Sequence, residues 1–172
     1  VRRMVQQHQG DVLVFLPGSG EIRETMQLLT ADAVCADCLI LPLYGDLSAS
    51  EQDRAILPDS QGQRRIILAT AIAETSLTIE GVTCVVDCGY SRLPSFDAAS
   101  GLSRLQTVRA SMATAEQRAG RAGRLGPGHC LRLWTKAQHH SLPPFHPPEI
   151  VNADLAPLAL ELALWGVGDA KA

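Results

Sequence analysis

Aromatic residues are scarce, 4% of a 172-residue chain, so packing falls to Leu, Val, Ile and Ala within a hydrophobic share of 46%. That share is ample for the core of one sizeable domain and the opening of a second. No apolar run reaches the ~18 residues a membrane span needs. The first residues, VRRMVQQHQG, contain no apolar h-region, which excludes a signal peptide at that position. The chain starts at Val1 rather than Met and is expected to be a stretch of something longer. It has no GxxxxGK[ST], and PGSGEIRE is too short and lacks the lysine, so no P-loop is present to cradle phosphates. Nucleotide chemistry is therefore not expected of this chain alone. There is no HExxH or comparable metal motif. The net charge of −3 does not suggest a protein that coats nucleic acid, so any anion site must be local.

Five cysteines are an odd number without a regular framework, which points to a reducing, cytoplasmic setting. Cys35 and Cys38 have CxxC spacing, and with Cys84 and Cys88 they make four thiolates for zinc. The stronger reading gives Cys84 and Cys88 to a buried strand, as small apolar residues. No metal site is expected. His139 and His140 are expected to be solvated.

Five apolar runs read as strands: DVLVF, CLILPLYG, RRIILAT, TCVVDCGY and CLRLWT. Between them EIRETMQLL has Ile22, Met26 and Leu29 on one helical face, and SASEQDRAIL opens with a serine cap and an acidic first turn. Strands alternating with helices predict an α/β domain with a mainly parallel sheet. Such sheets take ligands at the carboxyl ends of their strands, where PGSG and TAIAETS fall. Four prolines in SLPPFHPPEI, residues 141–150, make a linker. NADLAPLALELALWG then reads as a helix capped near Asn152 or Asp154. Its face of Leu155, Leu158, Leu162 and Trp165 should bury against something.

Two constellations carry chemistry. In AEQRAGRAGR, Arg118, Arg121 and Arg124 recur every third residue with only Ala and Gly between them. On a helix such positions stay near one face, so Arg121 and Arg124 can share a target. Each glycine inside a helix costs roughly 1 kcal/mol relative to Ala, so two need a reason, and a partner surface approaching a slim helix is one. Fork-shaped, permanently charged guanidiniums suit phosphate oxygens held on another lobe. The plain alternative is a solvated basic face, but such faces favour Lys, Glu and Gln between charges. In ATAIAETSLTIEG, Thr70, Thr75, Ser76 and Thr78 crowd hydroxyls into the turn after a strand, where hydroxyls and amides meet phosphates. Alone, that stretch would read as an ordinary Ser/Thr-rich turn.

With these residues the chain resembles the DEAH-box (DExH, superfamily 2) helicases. ATAIAETSLTIEG is similar to their motif V, QRAGRAGR to motif VI, and DVLVFLPGSGEI to motif IV. VVDCGYSRLPSFDAASGLSRLQTVRAS and PPEIVNADLAPLALELALWG resemble the bacterial HrpB-type branch. The resemblance implies a RecA-like three-layer lobe, the second of two, over residues 1–136. It implies a linker at 137–150 and, over 151–172, the opening of a helical, winged-helix-bearing region. ATP and Mg²⁺ would be held mainly by a first RecA-like lobe carrying the P-loop. From this lobe Arg121 and Arg124 would reach the γ-phosphate, and Gln117 would place the attacking water. Arg118 would brace the helix or pair with a carboxylate. Ser76 would couple motif V to hydrolysis, and Glu80 would lie near the ribose. Ile56 stands where many relatives stack an aromatic on the base, which implies low discrimination between ATP and GTP. Gly18 and Thr70 would grip the backbone of a single nucleic-acid strand, RNA being the expected class. Ala71 stands where motif V usually has Asn, one backbone-bonding amide fewer. Residues 91–108 match the family's β-hairpin near the point of strand separation, with DAASG as its turn; the plain alternative is a hairpin that only covers the sheet. The expected function is half of a bacterial, cytoplasmic ATP-dependent motor moving 3′ to 5′. The alternative is a non-catalytic RecA-like module that docks on nucleic acid or a partner. No membrane partner is expected.

Overall fold

The computed structural model describes residues 1–74, 78–97, 99–123 and 126–169. In chain order its regular elements are α1 (Arg2–Gln7), β1 (Asp11–Phe15), α2 (Ser19–Thr30), β2 (Leu39–Leu43), α3 (Ala49–Ile56), β3 (Arg65–Ala69) and β4 (Val82–Asp87). They continue with β5 (Tyr90–Asp97), β6 (Leu102–Arg109), α4 (Met112–Ala119), β7 (His129–Arg132), α5 (Lys136–His140) and α6 (Ala156–Leu164). All five runs read as strands form one sheet in the order β2-β3-β1-β4-β7, with every neighbouring pair parallel.

The sheet is covered on both faces, which is why β1 and β3 are apolar at nearly every position and buried throughout. Alternate residues sort the core into two layers. Leu13, Phe15, Leu41, Leu43, Ile67, Ala69 and Val85 pack with Ala55 of α3, Ala73 and Ala122. Val12, Val14, Ile66, Leu68, Cys84 and Val86 pack with Met4 of α1, with Ile22 and Leu29 of α2, and with Cys35. Cys84 thus sits among valines as a small apolar side chain. All five cysteines are free thiols, and among the described residues no group of three or more His, Cys, Asp or Glu could hold a metal. Ser48 caps α3 as expected, in a reciprocal box with Glu51: the Ser48 amide donates to Glu51 Oε2 at 2.9 Å, and the Glu51 amide donates back to Ser48 Oγ. Such a cap is worth about 1 kcal/mol.

The chain divides into two compact units, Val1–Arg92 with Thr107–His146, and Leu93–Gln106 with Pro147–Ala172. In the first, His139 departs from expectation: its ring stacks on Trp134 at 6.3 Å between centroids and its Nδ1 is buried. In the second, the outer hairpin is held at its turn by Asp97, which accepts from the Ala99 amide at 3.1 Å and from Ser100 Oγ at 2.7 Å. Ala98 of the expected DAASG turn lies outside the described residues. The Phe96 amide donates to the Asn152 carbonyl at 2.8 Å. Leu155 is the cap of α6, and Asp154 accepts from the Ala156 amide at 2.9 Å. The expected burial of the α6 face is not found. Leu155, Leu158 and Trp165 are exposed and only Leu162 is half-buried, although α6 is apolar nearly all round. No helix among them is long and apolar enough to cross a membrane.

Candidate nucleotide and nucleic-acid site

Ser111 starts α4 by accepting from the Thr114 amide at 3.1 Å. The last α-helical bond runs from the Gly120 amide to the Glu116 carbonyl at 2.9 Å. Beyond it the bonds span three residues: Arg121 to Arg118 at 3.1 Å, Ala122 to Ala119 at 3.1 Å and Gly123 to Gly120 at 3.4 Å. The sequence placed both glycines inside a helix, but the α-helix ends at Ala119 and Gly120 is its cap. Glycine's low helix propensity releases the chain into a tighter turn, in which side chains three apart eclipse.

This three-residue period separates two rows. Gln117, Gly120 and Gly123 are exposed, whereas Arg118 and Arg121 are 1% and 6% exposed. Arg121, expected to reach outward to a phosphate, is therefore turned inward beside Arg118. Arg118 uses all five of its N–H groups. Nε and Nη2 donate to Glu74 Oε1 at 2.8 and 2.6 Å, and Nη2 to Ser91 Oγ at 2.6 Å. Nη1 donates to Asp87 Oδ1 at 2.7 Å and to the Tyr90 carbonyl at 3.1 Å. Its guanidinium carbon lies 5.0 Å from the centre of the Phe15 ring. Burial alone would lower the Arg118 pKa, but the Asp87 and Glu74 carboxylates outweigh it and raise it. The carboxylate pairing expected for Arg118 is thus present, and double. Arg121 Nε donates to the backbone carbonyl of the same Glu74 at 2.9 Å. Glu74 therefore fastens both arginines to the stretch after β3. Arg124, the third of the run, and Ser76 and Thr75 lie outside the described residues.

No close neighbour among the described residues forces glycine in the outward row. Among the described residues, a Cβ on Gly120 would meet only the Gln117 and Glu116 carbonyls, at 3.4 and 3.5 Å. One on Gly123 would meet, among the described residues, only the Gly126 carbonyl at 3.9 Å. Neither has a positive φ. Gly128 contrasts with them: its Cβ would fall 2.0 Å from the Ala122 carbonyl oxygen, so the chain itself needs that glycine.

The residues expected to grip nucleic acid gather at the carboxyl ends of β1 and β3, neighbours in register at Phe15 and Ala69. Gly18 is the cap of α2 in extended backbone, and a Cβ there would lie 2.3 Å from Arg92 Nη1. Arg92 is paired in turn with Glu21 at 3.1 Å. Thr70 opens a 3-10 turn over Ala71–Ala73; its amide donates to the Leu43 carbonyl at 3.1 Å, and Ala71 is exposed. The residues expected at the nucleotide lie elsewhere. Ile56 ends α3 and packs on the layer that holds Ala122, and exposed Glu80 sits beside the amino end of β4. The structure does not bring Glu80 to the carboxyl ends.

Sequence reasoning missed Glu74, Asp87, Arg65 and Asp11. The available signal was charge at the ends of apolar strands: Asp11 and Arg65 open β1 and β3, and Asp87 closes β4.

Residues 1–126 match the family model for the helicase conserved C-terminal domain. The chain is 50% identical over 166 residues to the ATP-dependent RNA helicase HrpB of Escherichia coli, covering 96% of this chain and 20% of that protein. It is 42% identical to the probable ATP-dependent RNA helicase DHX34 of Mus musculus, over 96% of this chain and 14% of the relative. A crystal structure of the E. coli DExH-box NTPase HrpB superposes with a TM-score of 0.88 at 48% identity, covering 99% of this chain and 21% of that one. The RecA-like fold expected from the sequence is the fold of that neighbour. The chain spans about a fifth or less of the length of these relatives.

Proposed function

Because the chain belongs to the helicase conserved C-terminal domain family, in its DEAH-box, HrpB-type branch, we propose that it is the second motor lobe of an ATP-dependent RNA helicase. Residues 1–136 form the lobe, 137–150 a linker, and 151–172 the opening of a helical region whose further chain covers the apolar surface of α6. ATP and Mg²⁺ are held mainly on a first lobe elsewhere in the parent protein. Lobe closure brings the triphosphate to the end of α4, where Gln117 places water and Arg124 stabilises the charge of the transferring phosphoryl group together with Arg121, whose buried guanidinium must first leave the Glu74 carbonyl that holds it in this lobe. Ser76 links this end of the site to motif V, and Ile56 and Glu80 face the base and ribose. Gly18, Thr70 and Ala71 meet the phosphates of one RNA strand, which shifts as the lobes open and close.

The observation that carries this reading is the outward row of Gln117, Gly120 and Gly123. Two exposed glycines that end the α-helix, and that no described neighbour or positive φ forces, also leave room for a surface that closes on them from outside. The test compares RNA-stimulated ATP hydrolysis by the full-length parent with that of its variants. Gly120→Ala should leave stability unchanged or raise it by up to about 1 kcal/mol. Gly120→Leu and Gly123→Leu should stay folded yet lose on the order of a hundredfold in turnover, the penalty for misplacing reacting groups by about 1 Å. Normal turnover in both leucine variants would remove the support for lobe closure here.

A further inference from the structure

At the end of the sheet opposite Arg118, a second buried arginine is fully engaged. Arg65, the first residue of β3, is 1% exposed. Its Nε and Nη2 donate to Asp11 Oδ2 at 2.9 and 2.7 Å, and its backbone amide donates to Asp11 Oδ1 at 2.7 Å. The other three N–H groups go to backbone carbonyls. Nη1 serves Ala55 at 3.2 Å and also Leu57, and Nη2 serves Glu80. Ala55 and Leu57 flank Ile56 at the carboxyl end of α3, where helix carbonyls lack internal partners and a cation is favoured.

A single rigid fork thus spans two segments distant in sequence, one carrying Ile56 and the other Glu80. Its planar geometry fixes their separation in a way a flexible ammonium would not. Gly81 completes the arrangement. Its φ is +86°, and a Cβ there would lie 2.6 Å from Asp11 Oδ2, so the carboxylate can close on Arg65 only past a glycine. Beside this lock, Glu80 and Gly81 line a recess of about 320 Å³ with Asp59 and Gln63. The Glu80 backbone is pinned while its side chain stays exposed, as a preorganised ligand contact requires.

We propose that Arg65, held by Asp11, is a positioning residue for the nucleoside half of the bound nucleotide: it sets the spacing of Ile56 and Glu80 and thereby nucleotide affinity, not the hydrolytic step. This rests on the assignment of Ile56 and Glu80 to the nucleotide made above. It divides the buried arginines by role, Arg65 acting on binding at one end of the sheet and Arg118 on the arginine row at the other.

The test uses the full-length parent and measures the Kd of a fluorescent ATP analogue, KM and kcat for ATP at saturating RNA, RNA affinity and the melting temperature. Arg65→Lys keeps the charge beside Asp11 but cannot reach three carbonyls at once. It should raise Kd and KM by about tenfold, the scale of one to two lost buried hydrogen bonds, with kcat at saturating ATP and RNA affinity close to wild type. Asp11→Asn, which keeps the shape of the partner, should move the same two parameters and serves if the lysine variant does not fold. Glu80→Ala and Ile56→Ala report on the site itself. If they weaken the analogue while Arg65→Lys and Asp11→Asn leave Kd and KM unchanged, or lower kcat and RNA affinity together with them, the positioning role is overturned and the site stands. If none of the four variants weakens nucleotide binding, the nucleotide assignment fails and the positioning role with it.

Discussion

Arg118 lies between a fully buried carboxylate, Asp87, and a mostly buried one, Glu74. A buried ion pair adds little against an apolar replacement of the same shape, because desolvation offsets most of the attraction, but removing one partner strands the other. Asp87 is 0% exposed; its Oδ1 also accepts from the Gly89 amide at 2.9 Å, and its Oδ2 has no hydrogen-bond partner among the described residues. Without Arg118 that amide alone would face the charge. Arg118→Ala is therefore expected to destabilise the protein by about 3–5 kcal/mol, read as a fall in the midpoint of chemical denaturation. Arg118→Lys should lose part of that, since one ammonium cannot serve Glu74, Asp87 and Ser91 together. A loss below about 1 kcal/mol in the alanine variant, the range of an exposed pair, would contradict this account of the network.

At the scale of elements, the hairpin of β5 and β6 is tied at its base to the arginine row through the Tyr90 carbonyl and Ser91 hydroxyl on Arg118. Hydrolysis and strand separation should then be separable by cutting beyond that base. Replacing residues 94–105 with a two-residue hairpin turn is expected to preserve RNA-stimulated hydrolysis and abolish duplex unwinding. Unwinding at the parent rate would make the hairpin a cover for the sheet and nothing more. The sheet itself was legible because buried parallel strands leave continuous Val, Ile and Leu runs, and α3 because its Ser48 and Glu51 box is local in sequence. The end of α4 was misread for a physical reason. A repeat of three was laid on a helix of 3.6 residues per turn, whereas glycine lets the chain adopt the three-residue period and turn the arginines inward. The locks of Arg65 on Asp11 and of Arg118 on Glu74 were not legible, since their partners lie 54 and 44 residues apart and only folding brings them together.

At the scale of the whole molecule, the proposed reading gives the chain one side of a reaction site. Its net charge of −3 suits a lobe proposed to meet phosphates at a few points: the carboxyl ends of β1 and β3 for nucleic acid, and the end of α4 for the nucleotide. The relatives it matches are about five times longer or more, so the proposed chemistry belongs to the assembled parent. The central claim is that the arginine row acts on a triphosphate brought to it by another lobe. Its most direct test is RNA-stimulated ATP hydrolysis by the full-length parent, compared with Arg121→Ala and Arg124→Ala, with nucleotide affinity measured alongside. The account predicts a loss of roughly 10³-fold or more in turnover with ATP binding retained, as for a group that stabilises the transition state. Near-normal turnover in both variants would mean that the arginines only hold the fold, and would contradict the mechanism.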